Sequence, residues 1–167
     1  MKTLRRNIDI KDNKNVYAIA VAIALILASA LLVTYYVALR PAPDRYATVY
    51  YLSSNRTTDY PEFVVTNMNS TFSLYVTVEN NLGYTLTNAT LQVKVTGESN
   101  PSFPLNTSAT QTFNGTVKDG ASWENLATVS LNTPGQYFVV FELWTSDGSS
   151  LQFSGYYATL SVLVAAA

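Results

Sequence analysis

The chain contains neither cysteine nor histidine. Without them no Ser-His-Asp or Cys-His nucleophile can be assembled. Zinc fingers, iron–sulfur clusters, blue copper and ordinary haem ligation are excluded for the same reason. No disulfide can staple the fold, so packing alone must hold it. None of the seven glycines belongs to a phosphate-cradling loop. Charge is scarce as well: from Arg40 onward nine acidic residues stand against five basic ones, a net of −4. That mild acidity speaks against nucleic acid as a partner. Polar surface is left to Ser, Thr, Asn, Gln and Tyr, whose charge barely changes as pH falls, a composition suited to an acidic exterior.

One stretch lacks charge altogether. Val16–Leu39 (VYAIAVAIALILASALLVTYYVAL) is apolar on every face. As a helix it would run about 36 Å, enough to cross a hydrocarbon layer of about 30 Å with some tilt. Ala28-Ser29-Ala30 offers a small-x-small triplet that a signal peptidase could accept, but Leu31-Leu32-Val33 carries the apolar run straight past it. The expectation is an uncleaved membrane anchor, embedded in lipid through Val16–Leu39. Lys2, Arg5, Arg6, Lys11 and Lys14 precede the span and only Arg40 and Arg45 closely follow it. This bias predicts a cytoplasmic amino terminus and an extracytoplasmic domain. Tyr35 and Tyr36 fall where aromatic rings favour the interface. Ala18, Ala20, Ala22, Ala24, Ala28, Ser29 and Ala30 would permit close approach of another helix. The expected organisation is a basic tail over 1–15, the span over 16–39, a proline-rich stalk over 40–45 and one domain over 46–167.

That domain reads as all-β. Thr71–Asn80 alternates Phe72, Leu74, Val76 and Val78 with Ser73, Tyr75, Thr77 and Glu79, the period of a half-buried strand. Tyr46–Leu52, Tyr84–Thr96, Ala109–Lys118, Trp123–Leu131, Gln136–Thr145 and Leu151–Val164 are the other expected strands. Gln136–Thr145 is apolar on nearly both faces, which places it centrally in a sheet. Ser53–Glu62 and Gly97–Pro104 read as loops, and Asn80–Gly83, Asp119-Gly120, Thr133-Pro134-Gly135 and Asp147-Gly148 as turns, Asp119-Gly120 of the hairpin type. About seven short strands with turn signals and no amphipathic helix predict an all-β antiparallel sandwich. Trp123 and Trp144 are expected in its core, with an aromatic platform for sugar as the alternative.

Candidate chemistry is thin. Asp59 with Glu62, and Asp119 with Glu124, are the carboxylate pairs that glycoside hydrolysis could use; solvated loop acids are the plain reading of both. No Asp-x-Asp-x-Asp run supplies a calcium site. Catalytic, cofactor and metal residues are therefore expected to be absent. The N-x-S/T pattern recurs at Asn55, Asn69, Asn88, Asn106 and Asn114, always after the span, and predicts N-linked glycans on the outward side.

Asp119-Gly120-Ala121-Ser122-Trp123-Glu124, Thr133-Pro134-Gly135, Phe141-Glu142-Leu143-Trp144 and Tyr156–Val164 form a pattern. Together with Tyr60-Pro61, Val76-Thr77-Val78-Glu79-Asn80 and Leu91–Val95, it resembles an archaeal membrane-protein family catalogued as domain of unknown function 1616. The resemblance covers roughly 47–164 and implies an Ig-like extracytoplasmic domain on an archaeal membrane anchor; that family is associated with several spans, whereas this sequence holds one. The expected function is a non-enzymatic accessory or interaction subunit of a larger membrane complex, with a protein partner in or on the membrane. A cell-envelope element, S-layer-associated or stator-like, is one alternative, and a carbohydrate-binding module another. A pilin is disfavoured, because Lys14-Asn15, not Gly or Ala, precedes the apolar run.

Overall fold

The computed structural model describes residues 10–38, 44–146, 148 and 150–167. They form two compact units that divide between Pro43 and Asp44. The first is a single helix, α1 (Ile10–Ala38), so the helix begins inside the expected tail and takes in residues 10–15. Its stretch Asn15–Ala38 is long and apolar enough to cross a membrane, and its large side chains are exposed. The two aliphatic hydroxyls of the span are satisfied within the helix: Ser29 Oγ donates to the Leu25 carbonyl and Thr34 Oγ1 to the Ala30 carbonyl, each at 2.8 Å. This removes the penalty of bare hydroxyls in lipid. Leu39 and most of the expected stalk, 40–43, lie outside the described residues, as does Asp147 of the expected Asp147-Gly148 turn.

The second unit is a two-sheet sandwich of eight strands, one more than the pattern predicts. β1 (Tyr46–Ser53), β3 (Thr71–Asn81) and β6 (Ala121–Ser130) make one sheet in the order β1-β3-β6. The other, ordered β2-β8-β7-β4-β5, contains β2 (Phe63–Val65), β4 (Leu86–Thr96), β5 (Gln111–Val117), β7 (Gly135–Ser146) and β8 (Leu151–Ala165). The expected strand at 136–145 does sit centrally, as β7. The expected antiparallel sandwich is present, with one parallel addition: the short extra strand β2 runs parallel to the carboxyl end of β8, Phe63 opposite Leu163. One expectation needs correction. Asp119-Gly120 makes a turn but no hairpin: β5 and β6 belong to different sheets, so the chain crosses the sandwich there.

Period two sorts the side chains as the sequence implies. Leu74, Val76, Val78 and Ala127 from one sheet meet Leu91, Val93, Val139, Phe141, Leu143 and Val162 from the other, all wholly buried. Trp123 packs against this core from its flank. A Cβ at Gly115 would come within 2.7 Å of its ring, so the bare backbone there is a space requirement. Gly115→Ala should therefore destabilise the domain by about 1–3 kcal/mol through overpacking, readable as a lower urea midpoint with unchanged slope.

Two polar side chains secure the ends and edges. Asn80 is wholly buried; its Nδ2 donates to the Tyr84 and Val117 carbonyls at 2.8 and 2.9 Å, while its Oδ1 accepts from Leu82 N at 3.1 Å. It fixes the β3–β4 and β5–β6 connections at the end of the sandwich where Tyr46 begins β1. At the open seam between the sheets, the Gln111 amide pairs with the β6 backbone. Its Nε2 donates to the Thr128 carbonyl at 2.6 Å, and its Oε1 accepts from Thr128 N at 3.1 Å.

Candidate interaction surface

The two sheets present different outer faces. On the three-stranded sheet the register sets Leu52, Tyr75 and Leu126 in one row and Tyr50, Thr77 and Glu124 in the next. Leu126 is 49% exposed and Tyr50 38%. Arg56, from the loop after β1, lies with its guanidinium 4.3 Å from the Tyr75 ring centre and 2.8 Å from Glu124. Hydroxyl pairs continue the surface: Thr71 with Ser130 at 2.6 Å and Ser73 with Thr128 at 2.9 Å. The result is a flat face of aromatic, aliphatic and hydroxyl groups carrying one screened ion pair.

On the outer face of the five-stranded sheet, the loop between β4 and β5 reaches over Lys94 and Glu142 with Leu105. Under it lies an ion pair that the sequence pattern did not single out. Lys94 Nζ sits 2.9 Å from Glu142 Oε2, with side chains 5% and 0% exposed. The remaining polar capacity is used locally: Lys94 Nζ donates to the Leu105 carbonyl at 2.8 Å, and Glu142 accepts from Leu105 N at 2.6 Å and from Trp144 Nε1 at 3.0 Å. Trp144 thus corrects the second core expectation. It stands on the outer face, its ring centre 4.9 Å from Lys94 Nζ, as a lid on the ion pair and neighbour to Phe153. The signal available in sequence was a glutamate inside the nearly all-apolar run of β7.

The five asparagines that head N-x-S/T triplets are all exposed. Asn55 follows β1, Asn69 precedes β3, Asn106 lies in the β4–β5 loop, and Asn88 and Asn114 stand on β4 and β5. The last two are linked, since Thr90, the hydroxyl residue of the Asn88 triplet, donates to Asn114 Oδ1 at 2.9 Å. The carboxylate pairs are not built as catalytic pairs. Asp119 Oδ1 accepts from Gly83 N at 2.8 Å, whereas Glu124 is held by Arg56. Asp59 lines a groove whose walls do not include Glu62. Among the described residues no three of His, Cys, Asp and Glu gather as metal ligands.

The groove follows from strand lengths. β1 ends opposite Leu74, so Thr71–Ser73 of β3 outrun it by three residues. The loop that leaves β1 swings away to place Phe63–Val65 against β8 in the other sheet. Between the loop and the uncovered start of β3 is a concavity of about 660 Å³, within the size range of small-molecule sites.

Beside it, Tyr51 ties the sheets together. Its hydroxyl donates to the Thr159 carbonyl at 2.8 Å and its ring packs 4.7 Å from Tyr60 and 5.4 Å from Phe141, centre to centre. Burial pushes the Tyr51 phenol above its ordinary value, with Tyr60 and the Glu62 carboxylate adding to the rise. The unfolded phenol therefore ionises first, at about pH 10, and stability falls as pH rises from there through the higher folded value. We expect a flat stability profile from about pH 6 to 9 and a decline above about 10. Denaturant midpoints should show Tyr51→Phe to be less stable at neutral pH by about 0.5–1.5 kcal/mol, and to decline less steeply in alkali.

No family model matches the chain, and no curated protein matches it. Solved structures do. The CARDB domain of a Pyrococcus furiosus protein, solved by NMR, has a TM-score of 0.50 at 14% identity, over 71% of this chain and 93% of that one. A crystal structure of that domain in complex with di-metal ions has a TM-score of 0.52 at 13% identity, over 75% of this chain and 93% of that one. The likeness is one of fold: an Ig-like sandwich. At such identity it carries no activity and no ligand across.

Proposed function

We propose that this chain is a non-enzymatic interaction subunit, held in a membrane by α1 and presenting its sandwich on the outer side of an archaeal cell. The observation that carries the reading is the outer face of the three-stranded sheet, where exposed Tyr50 and Leu126 and half-buried Leu52 and Tyr75 are arrayed around the Arg56–Glu124 pair. Aromatic and aliphatic groups on a flat β surface, rimmed by hydroxyls, suit docking of a protein partner. Five basic residues before the span support the outward orientation. The resemblance to domain of unknown function 1616 supports the archaeal setting, and the five exposed asparagines support a glycosylated exterior.

The test is mild-detergent extraction of native membranes, native-gel separation and mass spectrometry of the proteins that migrate with the chain. We expect a defined complex that survives Thr112→Glu, on the other sheet, and dissociates with Tyr50→Glu combined with Leu126→Glu. Co-migration with S-layer or filament proteins instead would favour the envelope reading. Migration at monomer size would overturn both.

A further inference from the structure

We propose that the groove between the β1–β2 loop and the start of β3 binds a neutral saccharide. The groove adjoins the protein-docking face and shares Thr71 and Ser73 with it, but the proposed ligand does not depend on the docking reading. The argument is one of lining chemistry. The groove's side chains include no lysine or arginine, so nothing there would compensate a phosphate, sulfate or carboxylate. Asp59, on its wall, makes no hydrogen bond or ion pair among the described residues; it would repel such anions and accept hydrogen bonds from a vicinal diol.

Three aromatic residues share the lining: Tyr60 and Phe72, both half-buried, and Phe63, 55% exposed. Phe63 owes that exposure to β2, whose alternation turns Val64 into the core and Phe63 out of it. Apolar ring faces beside hydroxyl and amide groups match a ligand that has both C–H faces and O–H edges. The hydroxyls of Thr71 and Ser73, each paired with a β6 hydroxyl, keep an acceptor lone pair, and the β3 backbone that β1 leaves unpaired at 71–73 adds further donors and acceptors. A cationic ligand would also welcome Asp59 and aromatic rings, so choline is the competing probe in the test.

Two sources could provide the sugar, because Asn55 and Asn69 both line the groove and both head N-x-S/T triplets. One is a glycan carried by the chain itself, and the other is a separate saccharide. The shared chemistry is the proposal, and the experiment separates the sources.

Full-length protein from a non-glycosylating host, held in lauryldimethylamine oxide to avoid sugar headgroups, would be titrated with maltotriose, cellotriose, mannotriose and N-acetylchitotriose by saturation-transfer NMR. We expect saturable binding of at least one, weakened about tenfold by Asp59→Asn and comparably by Phe63→Ala, with Glu98→Gln unchanged. Two substitutions at exposed positions keep the result independent of any one variant's folding. Glycosylated protein from native membranes gives the second arm. Loss of binding there, restored by Asn55→Gln with Asn69→Gln, identifies the chain's own glycan as occupant; undiminished binding identifies a separate saccharide. Absence of saturation up to about 10 mM would overturn the proposal. So would equal affinity in both groove variants, or tighter binding of choline or of an extended peptide.

Discussion

Glu142→Leu should be the most damaging single substitution in the sandwich, lowering its stability by about 3–5 kcal/mol. The reason is isolation of a charge. Lys94 would remain 5% exposed beneath the β4–β5 loop, left with the Leu105 carbonyl and the Trp144 ring and no counter-charge. Leu105 N and Trp144 Nε1 would lose their acceptor in the same step. For a domain of this size the loss corresponds to a fall in melting temperature of about 10–20 °C. The double variant Lys94→Met with Glu142→Leu separates charge from packing. With no charge left behind, it should recover much of the loss, falling short by the amide and indole groups still lacking partners. A double variant no better than Glu142→Leu alone would assign the effect to shape.

Asn80→Ala comes next, with an expected loss of about 2–4 kcal/mol. One side chain bridges two connections: it serves Leu82 N and the Tyr84 carbonyl after β3 and the Val117 carbonyl at the end of β5. Alanine leaves all three backbone groups facing a small void without water. Hydrogen exchange should show the change locally, with faster exchange at Leu82 and in the 118–120 turn while the β7 amides keep their protection. Uniform acceleration throughout the sandwich would mean that Asn80 acts on global stability alone.

The fold was legible where chemistry repeats. Alternation in Thr71–Asn81 and Leu86–Thr96 set both the strands and their inward faces, and the doubly apolar run became the central strand β7. Reading failed where the partner was remote in sequence. β2 has three residues, too few to show a period, and its mate lies about 100 positions away in β8. Asp119-Gly120 announced a turn, but no local signal tells the chain to enter the other sheet. Trp144 reads as core because both faces of β7 are covered; one cover is the opposing sheet and the other is the loop that bears Leu105. Alternation puts Lys94 on the face opposite Leu91 and Val93, yet it says nothing about what lies above that face. The groove had no motif at all. It arises from a three-residue difference in strand length, a quantity that only pairing defines.

The Gln111 amide has a consequence for how such domains coexist. A sandwich edge is a template on which an unfolded or neighbouring chain can crystallise another strand, the first step toward fibrous deposits. At Thr128 that template is already taken, donor for acceptor, by a side chain that mimics a peptide unit. Charge usually guards exposed edges, but this sequence has little to spend. Here an uncharged amide insulates the seam, a form of protection that salt cannot screen and acid cannot titrate away.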